Sequence, residues 1–198
     1  MPKPYNPNDA WSRRAAKEGY RARSVYKLEE LNERYRLLRP GMTVLDCGAA
    51  PGSWLQYTAK IIGPRGRAIG LDLTPIKTIA ANVVTLEQDI TDLQRVERVL
   101  KETGVTTVDL VLSDAAPSTT GIRDIDQWQS LELARAVIAI AEHVLKPSGR
   151  CVIKVFRGAD FDEFLADVKR RWVKVTMART KASRDRSHEV YLVLHSHA

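Results

Sequence analysis

Cysteine is nearly missing from this sequence: Cys47 and Cys151 are the only two in 198 residues. Each lies in an apolar run, with no CxxC pair and no histidine nearby, so neither a disulfide framework nor a zinc site is expected. They read as small core residues of a reduced, cytoplasmic protein. Histidine is also scarce, and three of the four (His188, His195 and His197) crowd into the last eleven residues, so no metal centre is expected. No stretch approaches the ~18 consecutive apolar residues of a membrane span. The N-terminus lacks a signal peptide's apolar core, which predicts a chain that stays in the cytoplasm. Repeats, low-complexity tracts and linkers are missing too. The expectation is one domain over residues 1–198, long enough to bury a core without staples.

What the chain does have is positive charge, unevenly placed. Net charge is +7. Residues 1–40 hold ten Lys/Arg against five Asp/Glu, and residues 169–198 hold eight against two, whereas residues 41–168 hold thirteen against seventeen. A mildly acidic body with two basic ends points to a polyanion gripped by the ends, with solvated surface charge as the competing explanation. Aromatic residues for base stacking are not obvious in the basic segments. Trp11 and Tyr191 are candidates, although Tyr191 is more at home in a core.

The first forty residues predict a basic extension of two short helices that packs on the domain, ending at Pro40-Gly41. In the second helix Val25, Leu28, Leu31, Tyr35 and Leu38 recur at helical spacing, beside a basic stripe of Arg23, Lys27 and Arg34. From residue 43 strands alternate with helices. "TVLDCGAA", "RAIGLDL", "VVTLEQDI", "VDLVLSDAAP" and "GRCVIKVF" read as strands. "SWLQYTAKII", "DLQRVERVLKETG" and "ADFDEFLADVKRRW" read as helices, joined by a long helix with Trp128, Leu131, Val137, Ile138, Ala141 and Leu145 on one face. "VKVTMART" and "HEVYLVLHS" follow as two strands with no helix between them. This order predicts an α/β fold: a Rossmann-like, seven-stranded, mostly parallel sheet with its last strand antiparallel and helices on both faces.

In such sheets, ligands bind beyond the carboxyl ends of the strands. After the first strand comes "DCGAAPGSW", whose small residues let backbone approach a ligand and whose helix offers its first amides. Asp72 follows the second strand, Asp89 the third and Asp114 the fourth. Any one of these aspartates also fits a cap or turn. Three on successive strand ends describe a nucleoside-bearing cofactor. The missing GxGxxG favours S-adenosylmethionine over NAD.

Five stretches in order, "YKLEELNERY", "VLDCGAAPGSW", "LSDAAP", "CVIKVF" and "SRDRSHEVYLV", resemble the motifs of the FtsJ/RrmJ (RlmE) family of ribosomal RNA 2′-O-ribose methyltransferases. The resemblance runs from about residue 11 to residue 195. It implies a catalytic tetrad of Lys27, Asp114, Lys154 and Glu189. It also implies S-adenosylmethionine contacts from Gly52, Trp54, Asp72, Asp89 and Asp114. Ser53 stands where relatives often carry a second glycine, and as the start of a helix it is expected to act as a cap.

Lys154, alone among apolar residues in "CVIKVF", then gains a purpose. Its amine is the candidate general base, or orienting group, for a ribose 2′-hydroxyl. A free lysine titrates near ~10.4. Arg23, Arg34, Arg179, Lys181, Arg184 and Arg186 are candidates for holding RNA phosphates. The resemblance implies a uridine of large-subunit (23S-type) ribosomal RNA as the target, within the large subunit or its precursor. No metal, membrane or obligate protein partner is expected, and the protein is read as a monomer. Three rivals remain: a tRNA 2′-O-methyltransferase, an RNA-binding ribosome assembly factor with incidental methylation, and an NAD-dependent oxidoreductase.

Overall fold

The computed structural model describes residues 9–118, 120–183 and 188–197, with backbone alone at 196 and 197. Two helices, α1 (Ala10–Lys17) and α2 (Val25–Tyr35), precede β1 (Thr43–Cys47). Then come α3 (Ser53–Ile62), β2 (Arg67–Asp72), β3 (Val83–Glu87), α4 (Leu93–Glu102), β4 (Val108–Ser113) and α5 (Arg123–Val144). The remainder is β5 (Leu145–Phe156), α6 (Phe161–Arg171), β6 (Trp172–Ala178) and β7 (Glu189–His197). The seven strands form one sheet in the order β3-β2-β1-β4-β5-β7-β6. Only β7 is antiparallel, inserted between β5 and β6. Strand order reverses between β1 and β4, and that reversal opens a crevice at their carboxyl ends.

Strand side chains alternate between faces, so each face has its own core. One face sends Val44, Ala68, Leu110, Val152 and Val193 against α1–α3; the other sends Leu45, Ile69, Val111, Ile153 and Leu192 against α4–α6. Among the described residues no helix is long and apolar enough to cross a membrane. Both cysteines are buried and free.

The N-terminal helices are fixed by caps and burial. Asp9 accepts from the Ser12 amide at 2.8 Å to start α1. Leu28 and Leu31 of α2 are fully buried, and truncating either to alanine is worth about 3 kcal/mol of stability. Arg21, between the two helices, clasps the rest of the fold. Its guanidinium donates to the carbonyls of Pro51, Lys77 and Thr78 at 2.9–3.0 Å, and its amide donates to Gln56 Oε1 at 2.9 Å.

Three local expectations need correction. Trp128 is 57% exposed, because the buried stripe of α5 runs through Gln127, Leu131, Ala134 and Ile138. Gln127 takes the inward position because its amide Nε2 donates to the Arg157 carbonyl at 2.7 Å. Leu145 belongs to β5, not to the helix. Ser53 makes no cap: Gly52 is the N-cap of α3 at φ 101°, and the Ser53 hydroxyl instead meets the Ser24 hydroxyl at 2.9 Å.

Candidate active site

The crevice beyond β1, β2, β3 and β4 encloses about 430 Å³ and is lined by Gly48, Ala50, Asp72, Asp89, Asp114 and Ala115, among others. A larger open hollow of about 750 Å³ lies at the opposite end of the sheet around Lys60, Arg65 and Asn82, away from these strand ends. The smaller cavity is the better site, because carboxylates and small residues converge there. Asp72 accepts from the amides of Ala50 at 2.9 Å and Thr74 at 2.8 Å, which fixes its carboxylate. Asp89 is held by the Thr91 amide and hydroxyl, both at 2.8 Å on Oδ1, so its other oxygen keeps its accepting capacity. Carboxylates beside a floor of glycine and alanine are chemically suited to a nucleoside carrying a positively charged sulfonium.

Gly52 and Trp54 are placed differently. Gly52 is packed under its neighbours, where an added Cβ would sit 2.8 Å from Ile79 and 3.0 Å from Arg21 Nη1. Trp54 is buried, its indole N–H donating to the Ser24 carbonyl at 2.8 Å and its ring 6.1 Å from that of Tyr191. Both residues pack within the fold beside the loop and do not line the crevice.

Beside the crevice, four strand and helix ends bring charges together. Lys154 of β5 shares the sheet face of Val152, and Glu189 and Tyr191 of β7 share that of Val193, so all three point toward α2. Lys27 reaches in from α2. Lys154 Nζ is 3.1 Å from Asp114 Oδ1 and also donates to the Asp114 main-chain carbonyl. Lys27 Nζ is 2.7 Å from Glu189 Oε1 and 3.8 Å from Asp114 Oδ1. The side chain of Lys154 is only 6% exposed, which answers how a lysine survives in an apolar strand: it has a carboxylate and a carbonyl within reach.

Two members of this network escaped sequence reasoning. Tyr191, fully buried, donates its hydroxyl to Asp114 Oδ1 at 2.6 Å. Ser183 donates to Glu189 Oε1 at 2.6 Å. Burial pushes the Asp114 carboxyl up, but Lys154, Lys27 and the Tyr191 hydroxyl outweigh it and hold Asp114 below the usual carboxylate range. Glu189 is likewise lowered: burial raises it, and Lys27 and Ser183 more than offset that. Asp46, at the end of β1, goes the other way. Burial, with Asp114 and Asp72 nearby, drives it well above the usual range, and its Oδ2 has no hydrogen-bond partner.

The candidate RNA contacts are scattered. Arg23 pairs with Asp9 and donates to the Ala182 carbonyl. Arg34 pairs with Glu30 at 2.8 Å and reaches the Arg179 carbonyl at 3.4 Å. Glu30 also accepts from the Lys181 amide at 2.7 Å, tying α2 to the segment after β6. The side chains of Arg179 and Lys181 face solvent. Arg184 and Arg186 lie outside the described residues. Among the described residues no cluster of His, Cys, Asp or Glu is arranged to hold a metal.

Residues 20–196 match the FtsJ-like methyltransferase family. A protein of Bdellovibrio bacteriovorus named ribosomal RNA large subunit methyltransferase E is 42% identical over 96% of this chain and 96% of its own. A protein of the same name from Desulfatibacillum aliphaticivorans is 44% identical over 93% of this chain and 88% of its own. A crystal structure from Plasmodium falciparum, described as a ribosomal RNA methyltransferase, superposes with a TM-score of 0.78 at 27% identity, covering 90% of this chain and 98% of that one. Taken with the crevice and the charged network, these likenesses mean that the chain belongs to the FtsJ-like methyltransferase family and takes its methyl group from S-adenosylmethionine.

Proposed function

We propose that this protein methylates a ribose 2′-hydroxyl of a uridine in large-subunit ribosomal RNA, with Lys154 acting on the hydroxyl. The observation that carries the reading is the buried Lys154 amine, ion-paired at 3.1 Å with Asp114, a residue that itself lines the crevice. S-adenosylmethionine supplies an electrophilic methyl group on a sulfonium. A ribose hydroxyl attacks poorly while its proton is in place, so a positioned amine that accepts or orients that proton supplies the missing step. Asp114 and Tyr191 keep the Lys154 amine on one trajectory. Lys27 and Glu189 neutralise each other and close the charged floor beneath the ribose. Relatives over 40% identical are named for the large ribosomal subunit, which supports that substrate.

The same reading takes the chain as one methyltransferase domain with a basic N-terminal extension, acting as a cytoplasmic monomer on the large subunit or its precursor. The test is transfer of labelled methyl from S-adenosylmethionine to large subunits from cells lacking the enzyme, to naked ribosomal RNA and to bulk tRNA. Label in the large subunit that blocks alkaline cleavage at one ribose, and disappears with Lys154→Ala, is the expected result. Label in tRNA alone overturns the substrate. No label anywhere, with donor binding intact, overturns the reaction.

A further inference from the structure

Beyond the charged network, three guanidinium groups converge on a second cavity, of about 420 Å³, lined by Arg123, Arg157, Arg179 and His188. We propose that this basic cup holds a backbone phosphate of the RNA strand beside the target nucleotide. The inference rests on the substrate being RNA. The first support is charge without a partner. Several surface arginines are tied to carboxylates (Arg14 to Glu18, Arg34 to Glu30, Arg135 to Glu132, and Arg170 and Arg171 to Asp167) and others, such as Arg65 and Arg98, stand singly in solvent; what sets the cup apart is that three guanidinium groups share one cavity. Among the described residues none of the three arginines in the cup has an ion pair, although the carboxylate of Asp124 also lines the cavity. Three cations against one anion leave a net positive hollow open to solvent, the complement of a phosphodiester.

The second support is construction. The turn that carries Arg157 is pinned on both sides: its carbonyl accepts from the buried Gln127, and its amide donates to the His188 carbonyl at 3.0 Å. Gly158 has no room for a side chain, since a Cβ there would stand 2.0 Å from Gln127 Oε1. Gln127 thus occupies an inward position of α5 at the cost of exposing Trp128, and what it secures is the base of the cup. The Arg157 guanidinium leans over the Phe161 ring, 5.2 Å from its centroid, which limits the directions it explores.

The third support is position. Arg157 lies three residues beyond Lys154, immediately after β5 ends at Phe156, about 10 Å away at the rise of a strand. His188 immediately precedes Glu189, and Arg179 immediately follows β6. The cup thus lies at the same edge of the sheet as Lys154, where it would take a phosphate of the strand that continues past the target ribose. Phosphate-binding groups of this kind fix register without reading sequence.

The test is equilibrium binding of naked large-subunit ribosomal RNA across a salt series, with methyl transfer measured on the same samples. Wild type, Arg123→Ala/Arg157→Ala, and Arg98→Ala on α4 as a control are compared, with donor affinity and thermal midpoint recorded to show that each variant is folded. The double variant is expected to bind RNA about tenfold more weakly. Its log–log salt slope should flatten by ~0.7 for each phosphate it no longer neutralises. Donor affinity should not change, and the control should match wild type. RNA affinity and salt slope equal to wild type, or a wild type that does not bind the RNA, overturn the cup. Weakened binding by the double variant, with no methyl transfer even by wild type, supports the cup and instead sinks the proposed reaction.

Discussion

Under the proposed function the site divides into a cofactor half and a substrate half, and the two handle charge in opposite ways. On the cofactor side, Asp72 and Asp89 stand at the rim of an open crevice and are anchored to backbone amides. On the substrate side, Lys27, Asp114, Lys154 and Glu189 are nearly sealed and anchored to one another. A carboxylate that grips a ligand must trade water for that ligand, so it stays wet until the ligand arrives. Groups that act on a proton must hold one geometry, so they are desolvated in advance and the cost is offset by mutual attraction. Loss of a group on the first side should cost affinity, whereas loss on the second should cost rate and fold together.

The largest effect should come from Lys154→Ala. It is expected to lower the rate of methyl transfer by roughly 10²–10⁴-fold while donor affinity, measured by calorimetry, is kept. Equal loss of donor affinity would erase the division between the halves. Next is Lys27→Ala, which takes away the cation facing the buried Glu189 and should cost about 3 kcal/mol in denaturant unfolding. The double variant Lys27→Met/Glu189→Leu should recover most of that stability and none of the activity. If it stays as unstable as the single variant, mutual neutralisation is not what holds this region. Tyr191→Phe removes one hydrogen bond to a charged acceptor and should slow transfer about tenfold at unchanged KM for the donor. A shift in KM alone would move Tyr191 to the cofactor side.

The smallest effect concerns Asp46, which belongs to neither half. Its carboxyl titrates higher in the folded protein than in the unfolded chain. The native state therefore binds the extra proton, and the stability this contributes is present below the unfolded value and fades as pH rises through the folded one. Asp46→Asn should thus raise the thermal midpoint of the donor-free protein, by about 1 kcal/mol equivalent at pH 8 and by less at pH 5. A gain that does not grow with pH would show that Asp46 is not carrying that proton.

Much of this was legible in the sequence, for physical reasons that also mark where legibility stops. The helix Ser53–Ile62 and the alternation of strands with helices follow from local patterning and turn residues, which act over a few positions. Asp72, Asp89 and Asp114 were visible because strand ends are where α/β folds bind ligands. The pairing of Lys154 with Asp114 came from a resemblance in motifs, since forty residues separate the two. Tyr191 was legible only as apolar core. Its hydroxyl meets Asp114 because β7 inserts beside β5 in a register that puts Lys154 opposite Tyr191. Register between distant strands leaves no trace in a short window. Trp128 misled for a similar reason: a polar glutamine took its inward place to hold a carbonyl thirty residues away.

The clasp made by Arg21 joins the ends of two otherwise separate events. One guanidinium holds the loop before α3, through Pro51, and the segment after β2, through Lys77 and Thr78, while its own backbone belongs to the N-terminal helices. The two stretches border the crevice from either side. Ordering them by a bound donor and docking α1 and α2 therefore draw on the same free energy, and each must favour the other to the same extent. Hydrogen exchange in α1 and α2 should slow when the donor is present, and in Arg21→Ala that protection and the donor's affinity should fall together. Exchange indifferent to the donor would mean that the enzyme can be loaded while its N-terminal arm is still loose.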